Sequence, residues 1–139
     1  EAYGRKFDYR KLWQRISTEG EIVLATAYAI HRDDEKQLKF QNALNKIGFT
    51  VKLKPYIQRS DGSAKGDWDV GITIDVMEAA KNVDTVVLLS GDGDFDLLLK
   101  KIKKDFSVRV EVYGVPALTA ASLIDSASAY NRIGEDLLL

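Results

Sequence analysis

The sequence of 139 residues contains no cysteine. Disulfides, zinc–thiolate centres and thiol catalysis are thereby excluded. Nor is there an excess of charge of one sign, since 20 basic residues stand against 21 acidic ones. A near-neutral chain carries no global signature of a nucleic-acid or membrane ligand, so such a partner must be met by a local patch. No apolar run approaches the roughly 20 residues that span a bilayer, and no signal-peptide pattern is present. No membrane partner is therefore expected, and the cytoplasm is the default location. Internal repeats, low-complexity tracts and interdomain linkers are also missing. What remains is an ordinary globular composition, 45% hydrophobic and 29% charged. Its length suits one domain, over residues 1–139, with a full hydrophobic core.

Helices and strands alternate in the hydrophobic pattern. Phe7, Leu12, Trp13 and Ile16 have helical spacing, with Asp8 as a candidate cap. Residues 21–30, EIVLATAYAI, read as a buried strand. Leu38, Ala43, Leu44 and Ile47 predict the inward face of a second helix, capped by Asp33 or Asp34 and stopped by Gly48. FTVKLKPYI then alternates as a strand near a sheet edge, because Pro55 cannot donate to a ladder. A polar loop at 58–67 leads into a helix with Val70, Ile74, Met77 and Ala80 in register. DTVVLLS is a continuous apolar strand, and the helix after it turns Phe95, Leu98, Leu99 and Ile102 inward. The lysines that end this helix complement its dipole and read as a solvated face. SVRVEVYGV is a further strand, LTAASLIDSASAY a last helix, and NRIGEDLLL an unassigned tail. Such alternation implies βαβ units, hence an α/β fold with a mainly parallel central sheet between helical layers. In these sheets the functional crevice lies beyond the carboxyl ends of the strands.

At one such end the sequence crowds its acids. Asp92, Asp94 and Asp96 follow the apolar run VVLLS within a few residues. One carboxylate at a helix start is ordinary capping, and Asp92 or Asp94 can fill that role. Only one side chain caps a given helix, however. Like charges ~5 Å apart repel by roughly 3 kcal/mol at an effective dielectric of 20. A cation relieves that repulsion, and Mg²⁺ and Mn²⁺ prefer hard carboxylate oxygens. A bare phosphate would be repelled by the same acids, so the loop is suited to metal first. Upstream, KGDWDVGITIDVMEAA adds Asp67, Asp69 and Asp75. Asp67 or Asp69 can cap that helix; Asp69 and Asp75 are six residues apart and point in different directions. If that helix begins at the carboxyl edge of the sheet, residues near its start reach the same crevice.

These stretches, continued by VRVEVYGV and TAASLIDSASAYNRI, resemble the NYN domain, LabA-like branch, of the PIN-like nucleases. The resemblance is close over about residues 65–133 and looser before them. It implies a three-layer α/β/α sandwich of PIN-like, Rossmannoid type, with acids at the carboxyl edge that bind Mg²⁺ or Mn²⁺ and act in cutting RNA. By position, Asp69, Asp92 and Asp94 are the family-like catalytic and metal-binding acids, and Asp75 matches a further acidic position. Ser90 matches the small hydroxyl position beside the metal, and Lys65 the basic position before the second acidic group. The family opens with a strand ending in Asp, and no such strand precedes the helix at Phe7–Ile16. The sequence is therefore expected to begin past that strand.

The resemblance thus implies metal-dependent hydrolysis of RNA phosphodiester bonds. Ser90 would hold a water beside the metal, and Lys65, Arg59 and Lys54 either contact the substrate backbone or belong to a solvated strand and loop. Tyr56 and Trp68 flank the loop and either stack a base or belong to the core. His31, at a strand end, has no assigned role. Two alternatives stay open. One is a non-catalytic module with a vestigial acidic site that binds RNA or a protein partner, a homodimer included. The other is a haloacid-dehalogenase-like phosphohydrolase, whose late acidic motif would use Asp92 and Asp96 in place of Asp94.

Overall fold

The structure, a computed structural model, describes residues 7–31, 34–55, 57–58, 64–65 and 68–138. They form two compact units, one of residues 9–68 and one of residues 7–8 with 69–138.

In the first unit α1 (Tyr9–Ser17) precedes a parallel strand pair, β1 (Thr26–His31) and β2 (Thr50–Pro55), connected through α2 (Glu35–Ile47). Both predicted signals of α2 are present. Asp34 accepts the N–H of Gln37 at 2.7 Å, and Gly48 ends the helix at φ 134°. A β-carbon at Gly48 would also come within 2.6 Å of the Trp13 indole, so backbone and packing both require glycine. The Trp13 and Phe49 rings meet edge to face at 5.2 Å, and Tyr9 packs against Phe40 and Phe49.

The inward face of α2 is rotated from the expected one. Leu44 is buried, but Leu38 and Ala43 are exposed, and Gln37 and Gln41 face inward instead. Gln37 Nε2 donates to the Ile30 carbonyl at 2.6 Å, a role that apolar periodicity does not register. The strand predicted at 21–30 begins only at Thr26, and Val23 and Leu24 before it are exposed. Part of the stretch read as a loop forms a short antiparallel pair, β3 (Ile57–Gln58) with β4 (Ala64–Lys65).

The second unit runs α3 (Asp69–Ala80), β5 (Thr85–Leu89), α4 (Asp96–Phe106), β6 (Arg109–Gly114), α5 (Ala121–Ser126) and β7 (Ala129–Arg132). Its sheet has the order β5-β6-β7 and is parallel throughout. The register sets Val86 beside Val110, Leu88 beside Val112, and Val112 beside Tyr130. These side chains share one face and pack with Ala80, Phe95, Leu98, Leu99, Ile102 and Leu123 from the helices. Parallel sheets flanked by helices are the architecture expected of the three-layer α/β/α class.

Two expectations change here. Val70 and Ile74 of α3 do not face the core; they are 72% and 62% exposed, and Ile72, Val76, Met77 and Ala80 pack inward. The last helix, expected to run to Tyr130, stops at Ser126, and Ala129 and Tyr130 open β7 instead. Alanine favours a helix by propensity, but pairing with β6 decides, helped by the Ser128 hydroxyl accepting the Val110 N–H at 2.9 Å. The unassigned tail is packed: Leu137 and Leu138 are buried, and the Asp8 N–H donates to the Leu137 carbonyl at 2.8 Å.

The strand β6, read as alternating, is buried from Val110 to Gly114. Its Glu111 is inside because its two oxygens are answered, by Asn131 Nδ2 at 3.1 Å and Arg109 Nε at 3.4 Å. Lys103 likewise does more than face solvent, donating to the Ser126 carbonyl at 2.9 Å where α5 ends. Phe95 and the α4 residues Leu98, Leu99 and Ile102 are buried as predicted, with Leu99 and Ile102 fully enclosed. Leu99→Ala should therefore lower the unfolding free energy by about 2–5 kcal/mol in urea denaturation. The neighbouring Leu97→Ala, at an exposed position, should change it by less than ~0.5 kcal/mol.

Candidate metal centre

The chain leaves β5 at Leu89 and enters α4 at Asp96 through six residues, Ser90, Gly91, Asp92, Gly93, Asp94 and Phe95. The last three form a 3₁₀ turn whose cap is Asp92. One Asp92 carboxylate oxygen accepts the Asp94 N–H at 2.9 Å. The Asp92 N–H in turn donates to Ser90 Oγ at 3.1 Å. Capping and site membership thus coincide in one residue. Phe95, 3% exposed, anchors the turn in the core.

Asp69 arrives from a separate stretch, as the first residue of α3. Its carbonyl accepts the Thr73 hydroxyl at 2.8 Å. Asp69, Asp92 and Asp94 each offer one carboxylate oxygen, and these oxygens lie within 4.8 Å of one another. The two acidic stretches therefore meet. Pairwise repulsion at such separations is roughly 3 kcal/mol at an effective dielectric of 20, so a divalent cation would be strongly favoured there. Oxygens on an octahedral ion ~2.1 Å from the metal stand roughly 3–4 Å apart. A donor set of three carboxylates, closed by a small inward shift, fits Mg²⁺ or Mn²⁺ and offers nothing to soft metals.

The remaining candidates are placed as follows. Asp75 lies six residues along α3, a rotation of about 600°, and falls outside the group that shares the 4.8 Å limit. Ser90 is half-buried at the end of β5. Lys54 is half-buried in β2, with its Nζ 5.4 Å from the centre of the Trp68 ring. Trp68 Nε1 donates to the Ala29 carbonyl at 3.0 Å, and its ring packs on Tyr28 at 5.2 Å, so this indole is part of its own unit's packing. Lys65 lies in β4 and His31 ends β1. Arg59, Tyr56 and Asp67 fall outside the described residues. A shallow hollow adjoins the acids, lined by Asp69, Val70, Thr73, Ile74, Asp94 and Phe95.

Apolar periodicity gave no warning of how the acidic loop is held. Gly91 lies directly on the backbone of the turn after β6: a β-carbon there would overlap the Leu118 carbonyl oxygen. The Ala120 N–H donates to the Gly91 carbonyl at 3.0 Å. A β-carbon at Gly93 would come within 2.9 Å of Ala120 Cβ. The signal was present as glycines alternating with the acids, but only the partner strand's turn explains it.

The sequence profile of the NYN domain matches residues 2–133. The chain belongs to the NYN domain family. Low amplitude and bright protein LabA of Synechococcus elongatus is 28% identical over 132 residues, covering 89% of this chain and 70% of that protein. The crystal structure of a protein of unknown function from Vibrio parahaemolyticus matches with a TM-score of 0.94 at 54% identity, covering 99% of this chain and 85% of that one. The NYN resemblance drawn from residues 65–133 thus extends over nearly the whole sequence, and the family match leaves the dehalogenase-like alternative without support. Among the described residues, no helix of this NYN domain is long and apolar enough to cross a membrane.

The seating of Gly91 has a direct consequence. Gly91→Ala should leave far-UV circular dichroism unchanged but displace the loop that carries Asp92 and Asp94. The rise in thermal midpoint on adding millimolar Mn²⁺ should shrink by at least half relative to the unsubstituted protein.

Proposed function

We propose that this NYN domain is a metal-dependent ribonuclease in which Asp69, Asp92 and Asp94 hold Mg²⁺ or Mn²⁺. The observation that carries the reading is the convergence of three carboxylate oxygens from two distant stretches within 4.8 Å. Family membership supports the nuclease-like character of the module, and the resemblance supplies RNA as the substrate. A bound divalent ion supplies two things to phosphodiester hydrolysis: it lowers the pKa of a bound water and offsets phosphate charge. The chain's own residues do the rest. The carboxylates keep the site anionic, so a phosphate is accepted only together with a cation. Ser90 Oγ accepts the Asp92 N–H, which leaves its O–H to donate to a substrate phosphate oxygen. Asp75 is the outlying acid of the site. Lys54, Lys65 and Arg59 are the proposed contacts to the RNA backbone, where such side chains position substrate without reading sequence.

The test is cleavage of end-labelled RNA with Mn²⁺, with EDTA, and with Asn in place of Asp69, Asp92 or Asp94. Each substitution should cost more than the roughly 10–100-fold typical of losing an outer-shell partner, and EDTA should stop cleavage. Asp96→Asn should leave the rate within about twofold, as expected for a helix-start residue outside the group. Full activity in Asp92→Asn would refute the reading. RNA that is bound but left intact in Mn²⁺ would instead identify a non-catalytic binding module.

A further inference from the structure

We infer that Thr119 and Tyr130, neither of which carries a charge or lies in an acidic motif, are positioning residues of the metal centre. The inference rests on the metal-site reading above. The acidic loop is not held by its own hydrogen bonds alone. It is seated on the turn at 115–120, and these two side chains brace that turn beside its own backbone hydrogen bonds, Leu118 N–H to the Val115 carbonyl at 2.8 Å among them.

The chain of contacts is continuous. The Tyr130 hydroxyl, reaching out from β7, donates to the Gly114 carbonyl at 3.0 Å and lies 3.4 Å from Thr119 Oγ1. Thr119 Oγ1 donates to the Val115 carbonyl at 2.7 Å, closing the turn on itself. The same oxygen sits against Gly114, where a β-carbon would approach it to 2.5 Å and the Ser90 carbonyl to 3.4 Å. From the turn, the Leu118 carbonyl abuts Gly91, and the Ala120 N–H donates to the Gly91 carbonyl at 3.0 Å. Gly93 rests on Ala120 and Ser122. Asp92 and Asp94 follow these glycines immediately, so the position of both carboxylates is set by the turn.

The physical need is plain. Without a cation the three carboxylates repel, and a loop free to relax would separate them. A ligand set held together beforehand binds its ion more tightly because less order is lost on binding. Outer groups that hold ligands in place typically contribute 10–100-fold to metal affinity. Thr119 and Tyr130 touch neither the carboxylates nor any reacting atom, so their effect must pass through the loop.

The experiment is a titration with Mn²⁺, reading free Mn²⁺ by electron paramagnetic resonance, alongside thermal midpoints in EDTA. The set comprises the unsubstituted protein, Asp92→Asn, Tyr130→Phe, Thr119→Val, Thr119→Ser and Ser128→Ala. Ser128 serves as the matched control, because it gives up a comparable hydrogen bond at the opposite end of β6, to the Val110 N–H. Tyr130→Phe and Thr119→Val should weaken Mn²⁺ binding roughly tenfold. Thr119→Ser, which keeps the hydroxyl, should restore it. Ser128→Ala should lose similar stability in EDTA and keep its affinity. Unchanged affinity in Tyr130→Phe and Thr119→Val, or an equal loss in Ser128→Ala, overturns the inference while leaving the metal site standing. If the unsubstituted protein binds Mn²⁺ no better than Asp92→Asn, the metal-site reading falls and this inference with it.

Discussion

Three carboxylates whose oxygens come within 4.8 Å of one another do not stay together by their own interactions. Each pair repels by roughly 3 kcal/mol at an effective dielectric of 20, and water would separate them if the backbone allowed it. What opposes this is packing of main chain on main chain. Gly91 lies on the Leu118 carbonyl with no room for a side chain, and the Ala120 N–H bonds back to it. Phe95 fixes the far end of the same loop in the core. Asp69 is held independently, as the opening residue of a helix whose inner face packs through Ile72, Val76, Met77 and Ala80. Local charge crowding is therefore maintained by burial elsewhere, which is how a folded core can store an unfavourable arrangement.

The parallel sheet explains why these parts meet. The strands β5 and β6 run in the same direction, so the loops leaving their carboxyl ends emerge side by side. The first of these loops bears Asp92 and Asp94, and the second is the turn that seats it. The strand β7 adds Tyr130 on the face shared with Val112, close enough to bond the end of β6. In such an arrangement the acidic loop can be stiff without being rich in contacts of its own.

Some of this was legible along the chain. The helix α4 showed its inner face because all four apolar positions obey one period. Asp34 and Gly48 marked the ends of α2 because capping chemistry is local. The acids were legible as a group because like charges rarely crowd a strand end without purpose. Other features were not legible. Gln37 faces inward where Leu38 was expected, since a strand carbonyl needed a donor. Val70 and Ile74 have core-like spacing yet face outward beside Asp69 and Asp94. The start of β7 looked helical because the Ala-rich stretch before it favours a helix until a partner strand is in place.

Determined by the sequence alone were the alternation of helices and strands, the exclusion of thiol chemistry in a chain without cysteine, and the identity of the acids. These follow from periodicity, composition and charge, which are properties of neighbouring residues. Only the tertiary structure decided that Asp69 joins Asp92 and Asp94 while Asp75 lies outside their group, and that the turn at 115–120 supports their loop. Those facts depend on which strand lies beside which and on how closely two backbones approach. Such contacts join residues far apart in the chain, and no local pattern encodes them.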